Sequence, residues 1–171
     1  ELLAHHNVHQ IATPAGLEGR VIILLCTPLP DHPGRSYTIT NLYLSSGNST
    51  ARRAREIAAI QAAIPPAQYH FLAGDRNFVT EPEDTTGSAP SRDAPDARAW
   101  ADMAAALDLH EVYQAEKTRY DFPKVKGRHQ FRAARLDTIW ISHSATDLAS
   151  FRAVGSIAVT RNNILAVAAR T

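Results

Sequence analysis

At 171 residues, with 44% hydrophobic and 20% charged side chains, the chain has the size and composition of one soluble globular domain with a single core. No apolar run approaches the ~20 residues of a membrane span, which argues against a membrane segment or anchor. The formal charge of +1 leaves any choice of partner to the distribution of charge rather than its total.

Cys26 is the only cysteine, so an internal disulfide is excluded. Its place in an apolar run points to a buried thiol and an intracellular setting, cytoplasmic or nuclear. The chain opens on Glu1 without a signal-peptide pattern, and is expected to be a piece of a longer protein.

Residues 21–26 (Val-Ile-Ile-Leu-Leu-Cys) form a short apolar run rich in β-branched residues, broken by Pro28, Pro30, Asp31, Pro33 and Gly34. Residues 37–44 alternate, with Tyr37, Ile39, Asn41 and Tyr43 on one face and Thr38, Thr40, Leu42 and Leu44 on the other. The two runs are expected to pair as a hairpin. Over 51–64, Ala54, Ile57, Ile60 and Ile64 recur at helical spacing while Arg52 and Arg55 face away. Asn48, Ser49 or Thr50 can cap this helix, and Pro65-Pro66 ends it.

Residues 69–73 predict a third strand. The order hairpin, helix, strand implies a mixed sheet with helices packed on it. The acidic, proline-rich stretch 80–95 reads as a long surface loop. A second helix follows, with Asp93 as its expected cap, Pro95 in its first turn, and Trp100, Met103, Ala104 and Leu107 as its buried stripe. Residues 135–142 alternate as another strand, and 151–159 and 164–169 predict two more. No internal repeat is visible.

Chemistry concentrates after the third strand, where Gly74-Asp75-Arg76-Asn77 sets a carboxylate and an amide two positions apart. Sheets that carry helices open their sites where strands end and loops begin. Asp75 there can act as a base or orient a water, and Asn77 can hold that water or a phosphate oxygen. The same four residues also make a good turn, because Asp and Asn satisfy nearby backbone groups. Motif alone leaves both readings open.

The ordered series Asn41-Leu42-Tyr43 on a strand, a helix, residues 70–77, a loop and helix, then residues 135–142, resembles the endonuclease/exonuclease/phosphatase superfamily. This superfamily includes apurinic endonucleases, pancreatic deoxyribonuclease, inositol phosphatases and retrotransposon endonuclease domains. The resemblance covers the chain from about residue 21 onward. It implies an α+β sandwich, with mixed sheets flanked by helices as part of a four-layer fold. The span 1–171 would be one partial domain of that kind, derived from a retroelement, with Mg²⁺-dependent phosphodiester cleavage as its parent activity.

By the same resemblance, Asp75 is similar to the water-activating aspartate and Asn77 to the phosphate-positioning asparagine. Tyr43 is similar to the aromatic or His that contacts the scissile phosphate, and Asp137 to the aspartate that orients a catalytic His. Phosphodiester hydrolysis needs a positioned water, a divalent cation and donors for developing charge, which these side-chain types suit. As strand residues, Tyr43 can equally be an ordinary aromatic and Asp137 a structural hydrogen-bonder.

The pattern also breaks. Two opening strands bearing an Asn and a metal-binding Glu have no counterpart before Val21, so unpaired sheet edges are expected to invite association. Where the superfamily closes on Ser-Asp-His, this chain has Asn162-Asn163-Ile164. Asn163 therefore stands at a metal position and Ile164 at a histidine position. An amide carries no charge for a hard cation and isoleucine handles no proton.

Lys124, Lys126, Arg128, His129, Arg132 and Arg135 form a basic stretch suited to nucleic-acid backbone phosphates, or simply a solvated charged loop. His5, His6 and His9 hold an i, i+4 pair that could bind zinc on a helix, though the segment lacks helical amphipathicity and a fourth ligand. Two functions follow: a degenerate phosphodiester hydrolase with weak or no activity, or a non-catalytic nucleic-acid- or protein-binding module on the same scaffold.

Overall fold

A computed structural model of the chain describes residues 5–88, 90–112, 116–121, 124–125, 128–129, 131–142, 152–154 and 168–170. The two runs expected to form a hairpin are β2 (Val21–Pro28) and β3 (Tyr37–Tyr43), antiparallel with Val21 opposite Leu42 and Cys26 opposite Tyr37. Ahead of them β1 (His6–Ile11) pairs antiparallel with β2. From His6 on, the histidine segment is therefore a strand. His9 lies in this strand and His5 just ahead of it, so the i, i+4 pair does not share a helix, and among the described residues these histidines form no three-ligand cation site.

The first helix, α1 (Thr50–Ala63), carries the chain over the sheet to β4 (Tyr69–Asp75), which lies parallel to β3. Ser49 occupies the N-cap position without a side-chain cap bond, and Ile64 closes the helix ahead of the two prolines. A short 3₁₀ turn (Pro82–Asp84) interrupts the long loop. Helix α2 (Pro95–Ala106) begins with Pro95 in its first turn, but its cap is Ala94 rather than Asp93. Asp93 is exposed one residue too early, while Asp96 is buried and takes Arg53 Nε at 2.7 Å.

Beyond α2 come β5 (Leu109–Val112), β6 (Arg119–Asp121), β7 (Lys124–Val125), β8 (Arg128–His129), β9 (Arg132–Ala134) and β10 (Asp137–Ser142). The main sheet runs β1-β2-β3-β4-β10-β5, so β10 is inserted antiparallel between β4 and β5. The mixed sheet with helices packed against it is the expected α+β architecture. Within this sheet β1 and β5 form the edges. Of the two closing strands, the described parts are β11 (Arg152–Val154) and β12 (Ala168–Arg170), paired antiparallel in a separate sheet.

One face of the sheet is the core. Val21, Ile23, Leu42 and Leu72 meet Ile57 and Ile60 of α1 and Trp100 and Met103 of α2, all at most 2% exposed. Each such side chain contributes roughly 1.5–3 kcal/mol by leaving water. Ala104 and Leu107, the latter at the C-cap of α2, are partly buried and pack against this cluster, continuing the stripe from Trp100 and Met103. Among the described residues no helix is long and apolar enough to cross a membrane.

Candidate active site

The end of β4 is shaped by a close approach of backbones. Gly74 has φ +136°, and a Cβ built there would lie 1.9 Å from the Leu42 carbonyl oxygen of β3. Only glycine fits, and the chain can then turn sharply into Asp75. Asn77 adopts φ 55°, a left-handed conformation that Asn tolerates better than most side chains.

Two hydrogen bonds hold this turn. Asp75 Oδ1 accepts the Asn77 backbone N–H at 2.7 Å, and Asn77 Nδ2 donates to the Leu44 carbonyl at 2.7 Å. Because a carbonyl can only accept, the amide nitrogen must face Leu44 and Asn77 Oδ1 is the end left to accept from a ligand. The Leu44 N–H donates to the Asp75 carbonyl at 2.9 Å, so the segments leaving β3 and β4 are bolted together. The turn chemistry read from the motif is thus present, and it aligns Tyr43 with Asp75.

Register brings in the third strand. Tyr43 pairs with Asp75 across β3 and β4, and Asp75 pairs with Asp137 across β4 and β10. Residues directly opposed across a sheet project from the same face, so phenol and both carboxylates occupy one side of one sheet end. This is the face away from the helices, and Tyr43 is 47% exposed there. Thr118 pins the entry to β10: its hydroxyl accepts the Leu136 N–H at 2.9 Å and the Asp137 N–H at 3.1 Å.

Burial holds the Asp75 carboxyl above the usual carboxylate range; the Asn77 N–H pulls it back, and the Asp137 charge pushes it up again. Arg119 and Arg76 act downward on it from further off.

Arg76, between Asp75 and Asn77, is left unassigned by the sequence reading. It is fully buried, and its guanidinium lies 5.3, 5.0 and 5.6 Å from the ring centres of Phe78, Trp100 and Trp140. Among the described residues none of its three side-chain nitrogens has a hydrogen-bond partner. Burial lowers its pKa to about 10, which leaves it cationic at neutral pH.

Arg135 is the opposite case and a correction to the basic stretch. Its side chain is 2% exposed and spent on Asp84, with Nε at 2.9 Å and a second nitrogen at 2.7 Å, and on Glu111. It cannot serve a phosphate backbone. Of the remaining basic residues, Lys124 lies in β7, Arg128 in β8, and Arg132, exposed, in β9; Lys126 lies outside the described residues. Asn163 and Ile164 also lie outside them.

A metal site is not complete in what is described. Among these residues no three His, Cys, Asp or Glu side chains gather as a cation site. Asp75 and Asp137 offer two carboxylates, whereas a magnesium-like ion takes about six oxygen ligands.

The fold has counterparts among solved structures. The inositol polyphosphate 5-phosphatase domain of a synaptojanin, solved with inositol (1,4)-bisphosphate and calcium, matches with a TM-score of 0.50 at 14% identity, over 90% of this chain and 52% of that one. An AP endonuclease from Archaeoglobus fulgidus matches over 90% of this chain and 72% of its own at 13% identity, TM-score 0.48. The human Nocturnin catalytic domain matches over 81% and 49% at 17% identity, TM-score 0.45. No family model and no curated protein sequence matches the chain.

The fold is similar to that of the synaptojanin 5-phosphatase domain, a mixed α+β architecture of the kind the sequence resemblance implied. The chain spans about half the length of the 5-phosphatase and Nocturnin domains.

Proposed function

We propose that the chain is a degenerate phosphodiester hydrolase domain of endonuclease type, of retroelement origin, whose parent chemistry is Mg²⁺-dependent and whose own activity is weak or absent. The observation that supports this most is the alignment of Tyr43, Asp75 and Asp137 on three adjacent strands, with Asn77 bolted beside them. In this reading Asp75 takes the proton of an attacking water. Asn77 Oδ1 orients that water, and Tyr43 donates to the scissile phosphate. Asp137 would orient a histidine, but Ile164 stands at that histidine's position and Asn163 at a metal position. Loss of one such group commonly costs roughly 10²-fold or more in rate.

A second reading is a binding module on the same scaffold, acting on nucleic acid without cutting it, and the basic hairpin before β10 favours it. Nicking of supercoiled plasmid with and without Mg²⁺, beside salt-dependent binding, separates the two. We expect little or no nicking. Vigorous Mg²⁺-dependent nicking that vanishes in Asp75→Ala would overturn the claim of degeneracy while supporting the site. Binding that weakens with salt, with no cleavage, would favour the module.

A further inference from the structure

We propose that the cleft between α2 and the loop ahead of it binds a small aromatic carboxylate, its ring against Trp100 and Trp140 and its acid group on Arg92. The cleft holds about 480 Å³, within the size range of small-molecule sites, and the two indoles with Ala97, Ala101 and Ala104 form its apolar walls. The alanines share one face of α2 and leave the space open. Thr80, Glu81 and Arg92 supply a polar rim.

Trp140 lies three positions beyond Asp137 on β10, so it faces the helices, away from the carboxylate pair. The cleft is therefore separate from the candidate active site, and binding there does not rest on the phosphodiester reading. Both rings are held in place. They meet at 5.5 Å between centroids with 72° between planes, and the Trp140 N–H donates to Thr138 Oγ1 at 3.1 Å. Trp100 is 2% exposed, and among the described residues its indole N–H has no acceptor. A buried donor left open is uncommon in a folded chain. It is the kind of polar handle that orients a ligand in an otherwise apolar site.

Charge decides between a neutral ring and an acid. The Arg76 guanidinium lies over the same two rings at 5.0 and 5.6 Å, fully buried behind the walls of the cleft, and among the described residues it has no ion pair. Asp84 and Glu111 are engaged by Arg135. The Arg76 charge is felt in the cleft through the rings, because a low-dielectric interior screens it little. At the rim Arg92 Nη2 bonds Glu81 at 2.7 Å, and a guanidinium has five N–H donors, enough to take a second carboxylate beside it. Two cations favour an anion here and Glu81 opposes it. An aromatic acid meets the rings, the open N–H and Arg92 at once.

The chain has only two tryptophans, so its ¹H–¹⁵N spectrum carries two indole N–H signals, one for each ring of the cleft. Benzoate, cinnamate and indoleacetate are titrated into the whole chain, each beside its neutral amide. We expect a saturable shift of the Trp100 signal, larger than that of the already bonded Trp140, and several-fold tighter binding of at least one acid than of its amide. Ala101→Phe, at an exposed position, fills the cleft and should abolish the shift in a chain that melts like wild type. Arg92→Ala should remove the preference for acid over amide, and Glu81→Gln should strengthen it. No saturable shift with any of the three acids, equal binding of every acid and its amide, or a response untouched by Ala101→Phe would each overturn the proposal. None of these outcomes alters the reading of the nicking assay.

Discussion

Arg76 and Arg135 are sealed into the same end of the molecule, at 0% and 2% exposure, and their surroundings could hardly differ more. Arg135 is met by two carboxylates, Asp84 and Glu111, and its backbone N–H donates to the Asp84 carbonyl at 2.8 Å. Its charge is used up locally, and the result is mechanical: the loop carrying Asp84 is fastened to the approach of β10. Among the described residues Arg76 has three aromatic rings about its guanidinium and no side-chain hydrogen bond, with Glu111, Asp84 and Asp75 acting on it through space. Its charge remains as a field behind Asp75, opposing the push from Asp137. One buried cation fixes the site's walls and the other tunes what stands within them.

The sharpest way to break that contrast is to remove each cation. Arg135→Met strands Asp84 as a buried, uncompensated carboxylate, and should cost about 3–5 kcal/mol in urea unfolding. That is a large share of the roughly 5–15 kcal/mol that holds a domain together. Asn77→Ala breaks the bolt to Leu44 and strains a left-handed backbone, which should cost about 1–2 kcal/mol, while Asn77→Gly recovers the backbone part.

Arg76→Met should move stability by less than about 2 kcal/mol, because the relief of desolvating an unpaired cation offsets the loss of ring contacts worth about 2 kcal/mol or more each when desolvated. A loss equal to that of Arg135→Met would mean the two arginines do the same work. The smallest effect is at Asp75. A carboxyl whose folded pKa is raised favours the folded state only while protonated. Its contribution is complete below the unfolded value of about 3.9 and is lost as pH rises through the folded one. Asp75→Asn should therefore melt at or slightly above wild type at pH 7, with the difference closing below about pH 4. A clearly lower melting temperature at pH 7 would contradict the burial of an unpaired carboxylate.

Much of the fold was legible in the sequence because alternation and helical spacing report burial directly. The hairpin at 21–44, the helix ended by Pro65-Pro66 and the strand running into Gly74 are local patterns. The segment with His6 and His9 carried no periodicity of apolar residues to read, and pairing with β2 decided its state. The turn at the end of β4 was legible where a motif marks it, at Asp75 and Asn77. The three-strand register that aligns Tyr43 and Asp137 with Asp75 is a product of topology. The two arginines were not legible at all: Arg135 finds Asp84 and Arg76 finds Trp100 and Trp140 across long stretches of chain. Nothing near either residue distinguishes a buried cation from a solvated one.

The account turns on phenol, amide and both carboxylates sharing one sheet end, and the electrostatic consequence is open to direct measurement. Carboxyl ¹³C NMR titration of Asp75, in wild type and in Asp137→Asn, reads it without any assumption about substrate or metal. We predict a wild-type midpoint above the ordinary aspartate range that falls when the Asp137 charge is removed. An ordinary midpoint, unmoved by that substitution, would show that the two carboxylates do not share a site.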